Sequence, residues 1–107
     1  MPISLYFTPD NEYEKINPEE VNSLTENGKI SNMIITEGYK HSIMDLKYIT
    51  SLEIRDGFDE DIINCPNLKT IKILSLVFNT RIQYPDSLEE LIIFSDVFNH
   101  ELDLENT

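Results

Sequence analysis

Four stretches of this chain align with one another, and that internal repeat restricts the fold more than any other feature. They are Ile30–Ile43, Ile49–Ile62, Leu68–Ile82 and Leu88–Leu102. Their starts lie 19, 19 and 20 residues apart, and the last two carry one extra residue before an aromatic. Equivalent columns are chemically uniform. The first is Ile30, Ile49, Leu68, Leu88; the second Met33, Leu52, Ile71, Leu91; the third Ile35, Ile54, Ile73, Ile93. An aromatic follows (Tyr39, Phe58, Phe78, Phe98), and an aliphatic closes each copy (Ile43, Ile62, Ile82, Leu102). A period of this size with matching apolar columns is the signature of a solenoid.

The second and third columns are two residues apart, which is strand periodicity. Each copy therefore predicts one short strand, over 32–36, 51–55, 70–74 and 90–94. About 20 residues leave room for a strand, a turn and a return, but not for a long helix. One copy cannot bury its apolar face alone. Stacked copies bury each column against the next and build a parallel sheet with a continuous core behind it. The aromatic column becomes a stack of rings. The expected class is α/β: a short solenoid with a parallel sheet of about five strands and an N-terminal strand-helix cap.

The Leu-x-x-Leu-x-Ile core resembles a leucine-rich repeat. The tails Val77-Phe78-Asn79 and Val97-Phe98-Asn99, with Tyr84-Pro85-Asp86-Ser87-Leu88-Glu89 between them, resemble FNIP repeats, known from social amoebae and giant DNA viruses. Asn64-Cys65-Pro66-Asn67-Leu68-Lys69 is similar to the BspA-like branch. Thr80-Arg81 and His100-Glu101 stand where the FNIP signature has Ile-Pro, and the first two copies lack Asn after the aromatic. The resemblance covers roughly residues 30–104. It implies a parallel-sheet solenoid that works in protein interaction, and it carries over no catalytic residue.

Residues 1–29 depart from the repeat and read as a cap, with 30–107 as the four repeats of one domain. Ile3-Ser4-Leu5-Tyr6-Phe7 alternates like a strand, and Thr8-Pro9-Asp10 breaks it. Asn17 fits a helix N-cap, Pro18 the first helical position, and Glu20 completes a capping box. Ile16 and Val21 occupy the hydrophobic-staple positions. Val21 and Leu24 form the apolar stripe, and Gly28 fits the C′ position. Strand, helix and first repeat strand read as a right-handed crossover. An F-box, which often accompanies such repeats in giant viruses, needs a longer helical segment than is found here. No cap is evident after Leu102, so the last turn is open to pairing, including a homodimer.

The charge narrows the partners. Twenty acidic and 8 basic residues leave a formal net charge of -12. That sign repels phosphate, which argues against direct nucleic-acid binding, and it favours a basic partner where there is one. A single cysteine, Cys65, cannot form an internal disulfide, so a reducing, intracellular compartment is expected. No apolar run approaches the roughly 20 residues of a membrane helix. Met1-Pro2-Ile3-Ser4 lacks the basic n-region of a secretion signal.

Nothing in the sequence assembles an active site. Asp56-Gly57-Phe58-Asp59-Glu60-Asp61 is the densest acidic run, but it lacks the alternating ligands of a calcium loop and reads as a solvated turn. His41 and His100, the two histidines, fall on turns three repeats apart. Cys65 precedes Pro66 and suits a small buried filler better than a nucleophile. No glycine-rich phosphate loop occurs. No metal site, cofactor or enzymatic activity is expected.

The open strand face is the candidate site. The alternate positions that point away from the core are Asn32, Ile34, Thr36; Ser51, Glu53, Arg55; Thr70, Lys72, Leu74; and Glu90, Ile92, Phe94. Glu53 and Lys72 are expected opposite each other. Leu74, Ile92 and Phe94 are apolar without a core duty, which marks a contact surface. The binding set is thus Glu53, Arg55, Lys72, Leu74, Glu90, Ile92 and Phe94. The expected function is a non-catalytic protein-protein interaction module. The competing reading is a small acidic inhibitor, an immunity protein or DNA mimic, of a basic-surfaced enzyme. A mimic needs carboxylates spread over one face, whereas the acids here fall mainly on turns.

Overall fold

The structure, a computed structural model, describes residues 3–80 and 85–97. Five strands build one parallel sheet: β1 (Ile3–Phe7), β2 (Ile30–Ile35), β4 (Ser51–Ile54), β6 (Thr70–Leu74) and β7 (Glu90–Phe94), side by side in that order. Helix α1 (Pro18–Thr25) lies between β1 and β2 in the chain. The return paths add β3 (Ile43–Met44) and β5 (Ile62–Ile63), which pair in parallel as a second, two-stranded sheet. The molecule is a parallel-strand β-solenoid, and each step from β2 to β4, β6 and β7 is one turn of the coil.

The register follows the repeat. Met33 lies beside Leu52, Leu52 beside Ile71, and Ile71 beside Leu91; the Ile35, Ile54, Ile73, Ile93 column is aligned likewise. Both columns are buried through the first three turns and partly buried in β7. Ile49, Leu68 and Leu88 form a further buried column behind the sheet. Tyr39 stacks on Phe58 with ring centroids 6.4 Å apart, and Phe58 on Phe78 at 5.8 Å, with ring planes within 10° of parallel. Phe7 caps this stack edge-on against Tyr39 at 5.5 Å. Phe98, Ile82, Leu102 and His100 lie outside the described residues.

The cap forms as a strand and a short helix. Asn17 Oδ1 accepts hydrogen bonds from the Glu19 and Glu20 amides at 3.0 and 3.4 Å, so two of the free N–H groups of the helix start are satisfied. Ile16 and Val21 are buried in the main core. The expected Val21/Leu24 stripe is corrected: Leu24 is 45% exposed, and Thr25 is buried in its place. Thr25 sits one helical turn beyond Val21 and satisfies its hydroxyl on the Val21 carbonyl at 2.8 Å. The helix ends at Thr25, with Glu26 as C-cap, so Gly28 stands one residue past C′ while keeping the left-handed backbone at φ 79°. The α/β expectation is corrected too. One helix of 8 residues is all the helix among the described residues, and the fold is mostly sheet.

The extra residue of the later copies changes the turn. After β2 and β4 the chain turns through Gly38 and Gly57, both left-handed at φ 94° and 97°, and the two glycines stack. After β6 and β7 no glycine is present. Ser75 is buried instead and donates to the Phe58 carbonyl at 2.8 Å, and Ser95 donates to the Phe78 carbonyl at 2.7 Å. The inserted serine thus bonds back to the preceding turn where the earlier copies rely on a left-handed bend.

Candidate functional site

The open face is a grid. One row across the strands reads Ser4, Asn32, Ser51, Thr70, Glu90, and the next reads Tyr6, Ile34, Glu53, Lys72, Ile92. Leu74 and Phe94 pair in the row beyond. None of these side chains is buried, while their strand neighbours Met33, Ile35, Leu52, Ile54, Ile71 and Ile73 are. The pleat places the seven expected residues on one side of the sheet, with Arg55 directly after β4.

Polar contacts on the face are local. Glu53 and Lys72 are cross-strand neighbours as expected. Glu53 Oε2 turns along its own strand to Arg55, with Nη2 at 2.7 Å and Nε at 2.9 Å. Arg55 and Glu53 form the one ion pair among the described residues. The guanidinium offers Glu53 two donors where a lysine would offer a single point charge. On an open sheet the pair contributes a few tenths of a kcal/mol. Asn32 Nδ2 donates to Ser4 Oγ at 2.7 Å, which ties the cap strand to the first turn.

The apolar end of the face extends beyond Leu74, Ile92 and Phe94. Phe94 is 65% exposed, and Leu76, Val77 and Val97 are 54%, 50% and 48% exposed. These last three lie on the turns that follow β6 and β7, where Leu76-Val77 replaces Asp56-Gly57 of the previous copy. The signal was present in the sequence: two successive apolar residues occupy turn positions that earlier copies fill with an acid and a glycine. Leu76 is held on both sides. Its amide donates to Asp56 Oδ1 at 3.0 Å, and its carbonyl accepts from the Asp96 amide at 3.2 Å. At the other end of the grid Tyr6 is exposed.

The acidic run is partly structural. Asp59 Oδ1 accepts from the Asn79 amide at 2.8 Å and the Thr80 hydroxyl at 2.7 Å. With Asp56 on Leu76, two of its carboxylates join successive turns. No His, Cys, Asp or Glu group suited to a metal ion occurs among the described residues.

Cys65 is buried, and burial pushes its thiol above the ordinary 9.0; the nearby Asp45 charge pushes the same way, against a backbone hydrogen bond from Leu46. That environment suits a packed side chain, not a thiolate. His41 Nε2 donates to the Glu12 carbonyl at 2.7 Å and pins the pre-helix loop to the first turn. A groove of about 260 Å³ beside it is lined by Lys15, Lys40, Ser42, Met44 and Glu60. No helix among the described residues is long and apolar enough to cross a membrane. Comparison with known protein families, curated proteins and solved structures finds no match for this chain.

Proposed function

We propose that this chain is a non-catalytic protein-interaction module whose contact surface is the C-terminal half of the open strand face, within Glu53, Arg55, Lys72, Leu74, Glu90, Ile92 and Phe94. The observation that supports it most is the exposure of Phe94 beside Leu74 and Ile92, on a face whose earlier turns carry Asn32, Thr36, Ser51 and Arg55. Apolarity there is not a requirement of the coil. Exposed aromatics flanked by charged side chains are the usual make-up of an anchor and its rim. Within this reading the solenoid is of the leucine-rich-repeat kind, close to FNIP or BspA-like repeats. Its setting is intracellular, in keeping with one buried, unpaired cysteine. The net charge of -12 keeps an acidic inhibitor as the second reading. Against it, Asp56 and Asp59 are engaged between turns and do not spread over one face.

The test is the double change Ile92→Glu with Phe94→Glu, its fold checked by circular dichroism. Loss of partner capture from extracts of the source cell, or of a dimer by light scattering, is expected. Unchanged capture and unchanged mass would move the functional surface to the acidic turns.

A further inference from the structure

We infer that the partner of this face is a basic amphipathic helix that sets apolar side chains on Leu74, Leu76, Val77, Phe94 and Val97 and lysine or arginine on the carboxylates around them. The inference rests on the interaction reading above and names its partner's chemistry. On its turn side the apolar patch is flanked by two exposed carboxylates, Asp56 and Asp96. Glu90, at the start of β7 on the same face, is a further exposed carboxylate. Leu76 lies between Asp56, which accepts its amide, and Asp96, which donates to its carbonyl. Lys69, Lys72 and Arg55, the last already paired with Glu53, sit on the strand side of the patch, and the carboxylates nearest Leu76 lie on its turn side.

The spacing suits a helix. Neighbouring turns of a parallel coil are about 4.8 Å apart, so Asp56 and Asp96, two turns apart, are separated by roughly 10 Å along the stack. Residues seven apart on one helix face rise about 10.5 Å. A helix lying across the turns can therefore present two cations to these two carboxylates and its apolar stripe to Leu76 between them. An acidic or neutral apolar segment would meet the same surface with like charge or without any charge pairing, and charge of this kind selects partners and speeds encounter.

The probe is a synthetic amphipathic peptide with leucine on one face and lysine on the other, compared with a version carrying glutamate for lysine, by titration calorimetry on the full chain. The lysine peptide is expected to bind at least about tenfold more tightly than the glutamate peptide, with the difference shrinking as salt rises. Glu90→Lys with Asp96→Lys should remove most of that preference, and Leu76→Ser with Phe94→Ser should weaken the lysine peptide by about tenfold or more. All four side chains are exposed, so these variants are expected to keep the fold. Equal binding of both peptides, lost in the serine variant, overturns the basic partner while leaving the face as the contact surface. Lysine-peptide binding that survives in the serine variant overturns the interaction reading itself, because charge alone then holds the peptide. No binding of either peptide at about 1 mM overturns the inference.

Discussion

Asn64 donates its side-chain amide to the Asp45 carboxylate at 2.7 Å, and the two residues hold the same left-handed backbone, φ 55° and 61°, one turn apart. Each ends a strand of the second sheet, β5 and β3. Asparagine and aspartate tolerate this conformation better than other side chains with a Cβ. Asn64→Val should therefore cost about 2–3 kcal/mol, through backbone strain and the lost hydrogen bond. Asn64→Gly should cost about 1 kcal/mol or less, since glycine removes the strain. Urea melts of the two variants check the order; equal losses would mean that the turn is not strained.

Phe58 and Phe78 are fully buried in the aromatic stack. Phe58→Ala and Phe78→Ala should each destabilise the fold by about 3–5 kcal/mol. Denaturant melts losing less than about 1 kcal/mol for both would contradict the stack and the repeat register with it.

Tyr39 gives a pH signature. Its hydroxyl accepts the Ile16 amide at 3.2 Å and donates to the Ser42 carbonyl at 3.4 Å. Burial raises its pKa above the ordinary 10.0, against the lowering effect of the Ile16 hydrogen bond. The folded state therefore holds the proton where the unfolded chain has lost it. This contribution is complete below pH 10 and falls away as pH rises through the folded value. Tyr39→Phe should cost about 1–3 kcal/mol at neutral pH by leaving the buried Ile16 amide unpaired. The gap between wild type and variant should narrow as pH rises above about 10. Thermal melts from pH 7 to pH 11 measure both effects, and a gap that stays constant would show that the hydroxyl does not titrate with unfolding.

Deleting residues 1–29 should abolish cooperative melting or cause aggregation. Ile16 and Val21 belong to the main core, Phe7 closes the aromatic stack, and β1 covers the edge of β2. Removing all three exposes a core layer and a sheet edge together. A soluble, cooperatively melting 30–107 fragment would make the segment an appendage.

Cys65 should resist thiol reagents in the native protein at pH 8 and react fully once unfolded, since burial keeps it protonated and covered. Rapid labelling of the folded chain would place it at the surface.

The strands and their register were legible because side-chain alternation and the 19- or 20-residue period act on the same residues. Ser51, Thr70 and Glu90 begin β4, β6 and β7 where expected. The second sheet was not legible. Ile43-Met44 and Ile62-Ile63 are too short to show alternation, and they appeared only as a closing aliphatic column. Leu24 was misplaced because a short helix with few apolar residues leaves its rotation to tertiary packing. On the candidate face, Leu74, Ile92 and Phe94 could be read from the strand period. Leu76, Val77 and Val97 lie on turns, outside the strand period, and show only on comparing the copies, where Leu76-Val77 stands in place of Asp56-Gly57.

The parallel stacking also sets how the chain reaches its fold. Ladder partners between β2, β4, β6 and β7 are 19 or 20 residues apart in sequence, and β1 reaches β2 over 28 at Ser4 and Asn32. No ladder joins the two ends of the sheet directly. Each coil therefore closes a loop of nearly the same length, and the entropy of closure is nearly the same at every step. Once one pair of neighbouring coils has closed, the next adds its strand to an edge already in place. Such a stack can grow by similar increments outward from any closed pair, and the N-terminal cap, with the longest separation, carries the largest entropy of closure by a few tenths of a kcal/mol.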